Sequence, residues 1–206
     1  MKSCIFDIEC TDFDAVGAGI LVCAVVIPLE TEIPQVFRLD AYDKSVQGWL
    51  DISKHGYLER EEREALGDLF QYLSRFDLWI GHNIERFDIP YMKTRGMRRE
   101  VPFRMHPITY DTFKAFRRVG IQTRPNGFGK PMAGLGAAAD ALKITDAAKT
   151  AVYSGEWWMQ IWGNKEQRQI AFDAVVTHCI EDVKMNLGVY KELLPQDLKV
   201  NIKRML

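Results

Sequence analysis

Apolar residues fall along this chain in two rhythms, short continuous runs and helical spacings. Lys2–Ile8 reads as a strand ending in acids. Ile20–Ile27, with Val22, Val25 and Val26, reads as a buried strand, and Gln35–Leu39 as a third. Arg60–Leu73 places Leu66, Leu69, Phe70 and Leu73 at helical spacing. Leu78-Trp79-Ile80 is a short buried strand running into Gly81-His82-Asn83. Ile89–Thr94 starts a helix, since Pro90 is tolerated near a helix start. Leu135–Leu142 is a short helix, and Gln167–Leu193 carries a long, weakly interrupted helical pattern. Early strands, interleaved helices and a long C-terminal helix predict an α/β or α+β domain around one mixed sheet. The Gly- and Pro-rich stretch Gly120–Gly136 is a loop, either a cover over a site or a plain connector.

Composition narrows the class without changing that outline. With 206 residues, 47% hydrophobic and 27% charged, the chain reads as one ordinary globular domain. The longest apolar stretch, Gly17 to Leu29, falls short of the about 20 residues a membrane-spanning helix needs. Two acids within the first nine residues exclude a signal peptide. Cys4, Cys10, Cys23 and Cys179 form no C-x-x-C pair, which argues against structural zinc. They fit a reducing, cytoplasmic setting in which a free thiol packs as a small hydrophobe.

Charge is unevenly placed. The net charge is −1, but Lys93–Lys130 holds ten bases and two acids, so it carries +8 and the remainder −9. A basic third on an acidic chain suits an anionic partner. Solvated loops and helix faces are the plainer alternative. Arg95, Arg98 and Arg99 form the densest cluster, and Arg124 and Lys130 lie in the Gly/Pro-rich loop.

The acids carry the chemistry. Asp7 and Glu9 sit at i and i+2 of a strand, on one face and roughly 7 Å apart along the chain. About one D-x-E doublet is expected by chance at this acid content, so position gives it weight. It follows Ile5-Phe6 at the end of the first strand, where buried like charges are costly without a cation. Asp88 lies between Phe87 and Ile89, just past a buried strand, and reads either as a site residue or as a helix N-cap. His178 and Asp182 are one helical turn apart, on a face shared with Val175 and Met185, while Glu181 turns toward solvent. Four converging carboxylates call for divalent cations, and all-oxygen ligands favour Mg²⁺ or Mn²⁺. Two such ions suit in-line phosphodiester hydrolysis, with a nearby histidine taking the proton of the attacking water.

These segments resemble a known family. Phe6–Glu9 (F-D-I-E), Gly81–Tyr91 (G-H-N-I-x-x-F-D-I-P-Y) and His178–Val183 (H-C-I-E-D-V) are similar to the three motifs of the DEDD, or DnaQ-like, 3′–5′ exonucleases. The second motif is similar to the proofreading domains of family B DNA polymerases. Leu135–Ile144 looks like the family's short helix before the last motif, and the resemblance covers about residues 2–194. It implies a ribonuclease H-like fold with a mixed, mainly five-stranded sheet. It implies two metal ions, with Asp7 bridging them, Glu9 and Asp182 completing one, and Asp88 holding the other through water. By the same resemblance Cys10, Thr11, Phe13, Asn83 and Phe87 meet the terminal nucleotide. One feature departs from the pattern. The histidine subgroup places its His five residues before the last Asp, and the tyrosine subgroup places a Tyr four before it. Here His178 fills the tyrosine slot and Thr177 the other.

The resulting expectation is one exonuclease domain over residues 1–206. It acts on single-stranded DNA 3′ ends, releases nucleoside 5′-monophosphates and works alone or with a polymerase partner in trans. An exoribonuclease and an inactive nucleic-acid-binding module of the same fold are the alternatives. The candidate catalytic residues are Asp7, Glu9, Asp88, His178 and Asp182, and Arg95, Arg98 and Arg99 are the candidate backbone contacts.

Overall fold

The computed structural model describes residues 1–17, 19–42, 57–123, 134–144 and 165–205. Its centre is a five-stranded mixed sheet in the order β3-β2-β1-β4-β5. Strands β1 (Ser3–Cys10), β2 (Leu21–Pro28) and β3 (Gln35–Arg38) form an antiparallel meander. Strand β4 (Leu78–Gly81) adds to the other side of β1 in parallel, and β5 (Ile108–Asp111) adds in parallel to β4. Helices α1 (Tyr57–Leu73) and α2 (Asp88–Arg98) lie on one side of the sheet. Helix α3 (Thr112–Val119) follows β5 directly, and α4 (Leu135–Leu142) packs with it against α5 (Lys165–Met205). No helix among the described residues is long and apolar enough to cross a membrane.

Strand alternation sorts β1 into two faces. Cys4, Phe6, Ile8 and Cys10 pack with Leu66, Leu69 and Leu73 of α1 and Tyr91 and Met92 of α2. Ile5 faces the other way, with Val25, Ile27 and Ile80, onto Phe172, Val175, Cys179 and Val183 of α5. Asp7 and Glu9 continue that second face, so the doublet is carried toward α5. The β1–β2 register shifts between Glu9 and Cys10, a bulge at the position where the strand must re-aim its side chains.

Most of the expected elements stand within two or three residues of where their periodicity put them. The fifth strand, β5, and helix α3 were not located from the pattern. Strand β5 is an edge strand with only Asp111 buried, so it offers no apolar run. Helix α5 continues past the expected end at Leu193, through Pro195 to Met205. The apolar stripe fades there, but Arg118 of α3 donates to both carboxylate oxygens of Asp197 and ties that stretch down, 2.6 Å from Nε to Oδ1.

Candidate active site

The site forms where the C-terminal end of β1, the start of α2 and the middle of α5 meet. Gly81 ends β4 at a point where a Cβ would lie 1.9 Å from Ile84 Cγ2 and 3.1 Å from the Phe6 carbonyl oxygen. Only glycine lets the chain turn there. The turn runs through Asn83, whose φ is +67°, and is held by Asp111. The Asp111 carboxylate accepts from Asn83 N at 3.0 Å and from Phe113 N at 3.0 Å, capping α3 while it pins the loop. That loop delivers Asp88 as the first residue of α2. Phe87 takes the N-cap position and makes no side-chain cap, so the N-cap alternative for Asp88 does not apply.

Asp7, Glu9, Asp88 and Asp182 converge, and the electrostatics record it. Burial raises the Asp7 carboxyl well above its ordinary range, and Asp88, Glu9 and Asp182 raise it further. Asp88 is 2% exposed, and burial pushes its carboxyl up to about 7 against the opposing effect of backbone N–H donors and a hydrogen bond with Asp7. Its Oδ1 is buried without a hydrogen-bond partner. His178 is 8% exposed, with Nε2 at 3.7 Å from both Glu9 Oε1 and Asp182 Oδ2. Cys179 lies beside it, Sγ 3.6 Å from the Asp7 carbonyl oxygen and 4.0 Å from Asp7 Oδ2. A buried carboxylate oxygen without a donor, inside a group of acids that oppose one another's ionisation, fits a divalent cation and its oxygen-seeking chemistry.

The loop between β1 and β2 stands at the edge of this cluster. Thr11 Oγ1 accepts from Ile20 N at 3.0 Å and closes the loop. Asp14 Oδ1 accepts from Val16 N and Gly17 N and builds the turn inside it. At Gly19 a Cβ would stand 2.6 Å from both Tyr91 Oη and the Asp14 carbonyl oxygen, so the loop packs closely against α2. The loop presents Phe13, 84% exposed, edge-on to Phe87 with ring centroids 5.4 Å apart.

Three expectations are corrected. Cys10 does not face a nucleotide. Alternation places it opposite Glu9, buried in the core under α1 and α2. Arg95 is 1% exposed and sits inside the protein, where Glu62 accepts from Nε at 2.7 Å and from Nη2 at 2.5 Å. Its Nη1 donates to the Ala15 carbonyl oxygen at 3.0 Å and so ties down the Phe13 loop. Arg99 is spent on the same carboxylate at 2.6 Å and on Glu59 at 2.8 Å. A local count of charges cannot tell an internal cation from a surface one. The sequence carried no signal for Glu62, which is fully buried thirty-three residues away in sequence. Arg98 is exposed, as are Lys93 and Arg104. Lys114 pairs with Glu85, and Arg117 stacks on Phe113. Arg124, Lys130 and most of the Gly/Pro-rich loop lie outside the described residues.

Comparison with known proteins agrees with this geometry. Residues 1–123 match the family model described as DNA polymerase family B, exonuclease domain. A solved structure of the family B DNA polymerase from the hyperthermophilic archaeon Pyrobaculum calidifontis matches 95% of this chain with a TM-score of 0.63 at 16% identity. The match takes in 25% of that polymerase, so this chain spans about a quarter of its length. At that identity the likeness shows the fold. No curated protein matches the sequence.

Proposed function

Since the chain belongs to the family of exonuclease domains of family B DNA polymerases, we propose that it is a divalent-metal-dependent 3′–5′ exonuclease. It acts on single-stranded DNA ends and releases nucleoside 5′-monophosphates. The observation that carries this reading is the convergence of four carboxylates from three elements, with Asp7 held above its ordinary range by burial and, beyond that, by the other three.

Asp7, Glu9, Asp88 and Asp182 would hold Mg²⁺ or Mn²⁺. Two such ions stabilise the attacking and the leaving oxygen of an in-line displacement. The protein's own residues do the rest. Phe13 and the partly buried Phe87 offer a ring edge and a ring face against which a terminal base can stack. Thr11 and Asn83 are fixed by backbone hydrogen bonds beside that pair and shape the pocket. His178 lies between Glu9 and Asp182, where its Nε2 accepts a proton from the attacking water. Arg98 and its exposed basic neighbours attract the nucleic-acid backbone.

The test is a time course on 5′- and 3′-labelled single-stranded DNA and RNA, with Mg²⁺, Mn²⁺ or EDTA, for the protein and its Asp7→Ala and Asp182→Ala variants. Stepwise shortening of 5′-labelled DNA is expected, with mononucleotides released from the 3′ label and no activity in EDTA or in either variant. Activity that survives EDTA, or more than a few per cent of the rate in a folded Asp7→Ala protein, overturns the reading. Preferential attack on RNA replaces the proposed substrate with the ribose polymer.

A further inference from the structure

The carboxylates of this site are not its only donors. Asp7, Glu9 and Cys179 each place one ligand atom within 4.8 Å of the others. Cys179 Sγ is 4.0 Å from Asp7 Oδ2 and 0% of the residue is exposed to solvent. His178, the preceding residue on α5, keeps Nε2 3.7 Å from Glu9 Oε1. A thiol is a poor ligand for Mg²⁺, which takes hard oxygen donors. It is a strong one for a borderline-soft ion such as Zn²⁺.

The spacing can be tested against coordination geometry. Zinc–sulfur and zinc–oxygen bonds of about 2.3 and 2.1 Å at a tetrahedral angle set sulfur and oxygen about 3.6 Å apart. The observed 4.0 Å needs a few tenths of an ångström of closure. The donor atoms of the trio all lie within 4.8 Å of one another, so closure needs at most little more than one ångström, within reach of side-chain rotation. A second observation points at a cation here. Asp88, 2% exposed and hydrogen-bonded to Asp7, leaves Oδ1 without a partner.

We propose that Cys179, with Asp7 and Glu9, forms a mixed sulfur–oxygen site that binds Zn²⁺ and so competes with the hard ions of the exonuclease site. The inference rests on the assignment of Asp7 and Glu9 as metal ligands, but not on cleavage. On binding, the S–metal bond forms as the thiol proton leaves to solvent, with no change in oxidation state. The ion then occupies carboxylate oxygens that Mg²⁺ or Mn²⁺ requires, and these three protein ligands leave its fourth tetrahedral position to water.

Co²⁺ and Cd²⁺ report the bond directly, because thiolate-to-metal charge transfer gives near-ultraviolet absorption that oxygen ligands do not. The experiment is a titration of the full chain with Co²⁺ or Cd²⁺, repeated for Cys179→Ser and Asp7→Asn, with circular dichroism to confirm folding. The charge-transfer band is expected to saturate at one equivalent, to yield to Zn²⁺, to vanish in Cys179→Ser and to weaken strongly in Asp7→Asn. The Zn²⁺ concentration that halves each protein's own Mg²⁺-supported cleavage is expected to rise by about tenfold or more in Cys179→Ser, at least the loss typical of an outer-shell partner. No band in the native protein, or an unchanged band in either variant, overturns the proposal. A band with no cleavage under any metal instead removes the exonuclease reading and leaves the mixed-donor site standing.

Discussion

Replacing Asp88 by asparagine should make this protein more stable at neutral pH in the absence of metal. Asp88 is 2% exposed, and its carboxyl is pushed from 3.8 up to about 7. The folded state therefore holds its proton up to about pH 7, while the unfolded chain releases it near pH 4. Folding takes up a proton between those values, so stability falls as pH rises through that window and is flat above it. A displacement of about 3 units corresponds to about 4 kcal/mol at 1.4 kcal/mol per unit. Asparagine is nearly isosteric and does not titrate. In EDTA at pH 8, Asp88→Asn should exceed the native protein by up to about 4 kcal/mol, or about 10 °C in Tm for a domain of this size. At pH 4 the two should agree within about 1 kcal/mol. Excess Mg²⁺ should narrow the gap at pH 8, because it binds the native site and not the unfolded chain. Urea and thermal melts from pH 4 to 8.5, with and without Mg²⁺, measure all of this. Parallel pH curves for the two proteins, or an Asp88→Asn protein less stable at pH 8, would refute the argument that burial and neighbouring acids oppose ionisation here.

Four further outcomes are expected. Arg95→Met leaves the Glu62 carboxylate buried without its main partner and should cost about 3–5 kcal/mol in urea denaturation, with much of the loss recovered in Glu62→Gln/Arg95→Met; a loss under about 1 kcal/mol would show that the pair contributes little. Phe13→Ala should raise KM for single-stranded DNA by about 5- to 150-fold, the worth of one stacked base, with kcat nearly unchanged; an unchanged KM removes Phe13 from the pocket. The double variant Arg98→Ala/Arg104→Ala should flatten the salt dependence of binding while leaving the single-turnover rate at saturation alone; an identical salt slope returns that surface to plain solvation. His178→Ala should lower the cleavage rate by about 10²- to 10⁴-fold while leaving single-stranded DNA binding nearly unchanged; a near-normal rate makes it a packing residue.

How much of this was legible in the sequence depends on the reach of each interaction. Periodicity within one element located most of the strands and helices, because burial of a face is written into consecutive residues. The carboxylates were legible for a related reason. An acid on an otherwise apolar strand or helix face breaks the pattern, and Asp7, Asp88 and Asp182 each do so locally. Strand β5 and helix α3 broke no pattern, and their placement follows from Asp111, whose carboxylate caps one element and pins the loop of another. The second motif was read as a site segment, yet the left-handed turn at Asn83 depends on that distant cap and could not be seen from its own residues.

The basic segment shows the opposite failure, and its physics is instructive. Arg95 and Arg99 interrupt no apolar run strongly enough to look internal, since a long guanidinium stem packs as well as it solvates. Their burial is decided by Glu62, which lies on a helix elsewhere in the chain. Its carboxylate gathers three donors besides the 2.9 Å bond it accepts from Leu21 N. The charge of Arg95 and Arg99, which reads as an attraction for phosphate, is thus paired within the fold, while Lys93, Arg98 and Arg104 stay exposed. It acts instead on geometry, because the same Arg95 reaches the Ala15 carbonyl oxygen and fixes the loop that carries Phe13. An ion pair of this kind is weak evidence for net stability. Its effect here is to bind four separate parts of the chain (α1, α2, the start of β2 and the Phe13 loop) into one arrangement around a carboxylate cluster that, without a cation, pushes itself apart.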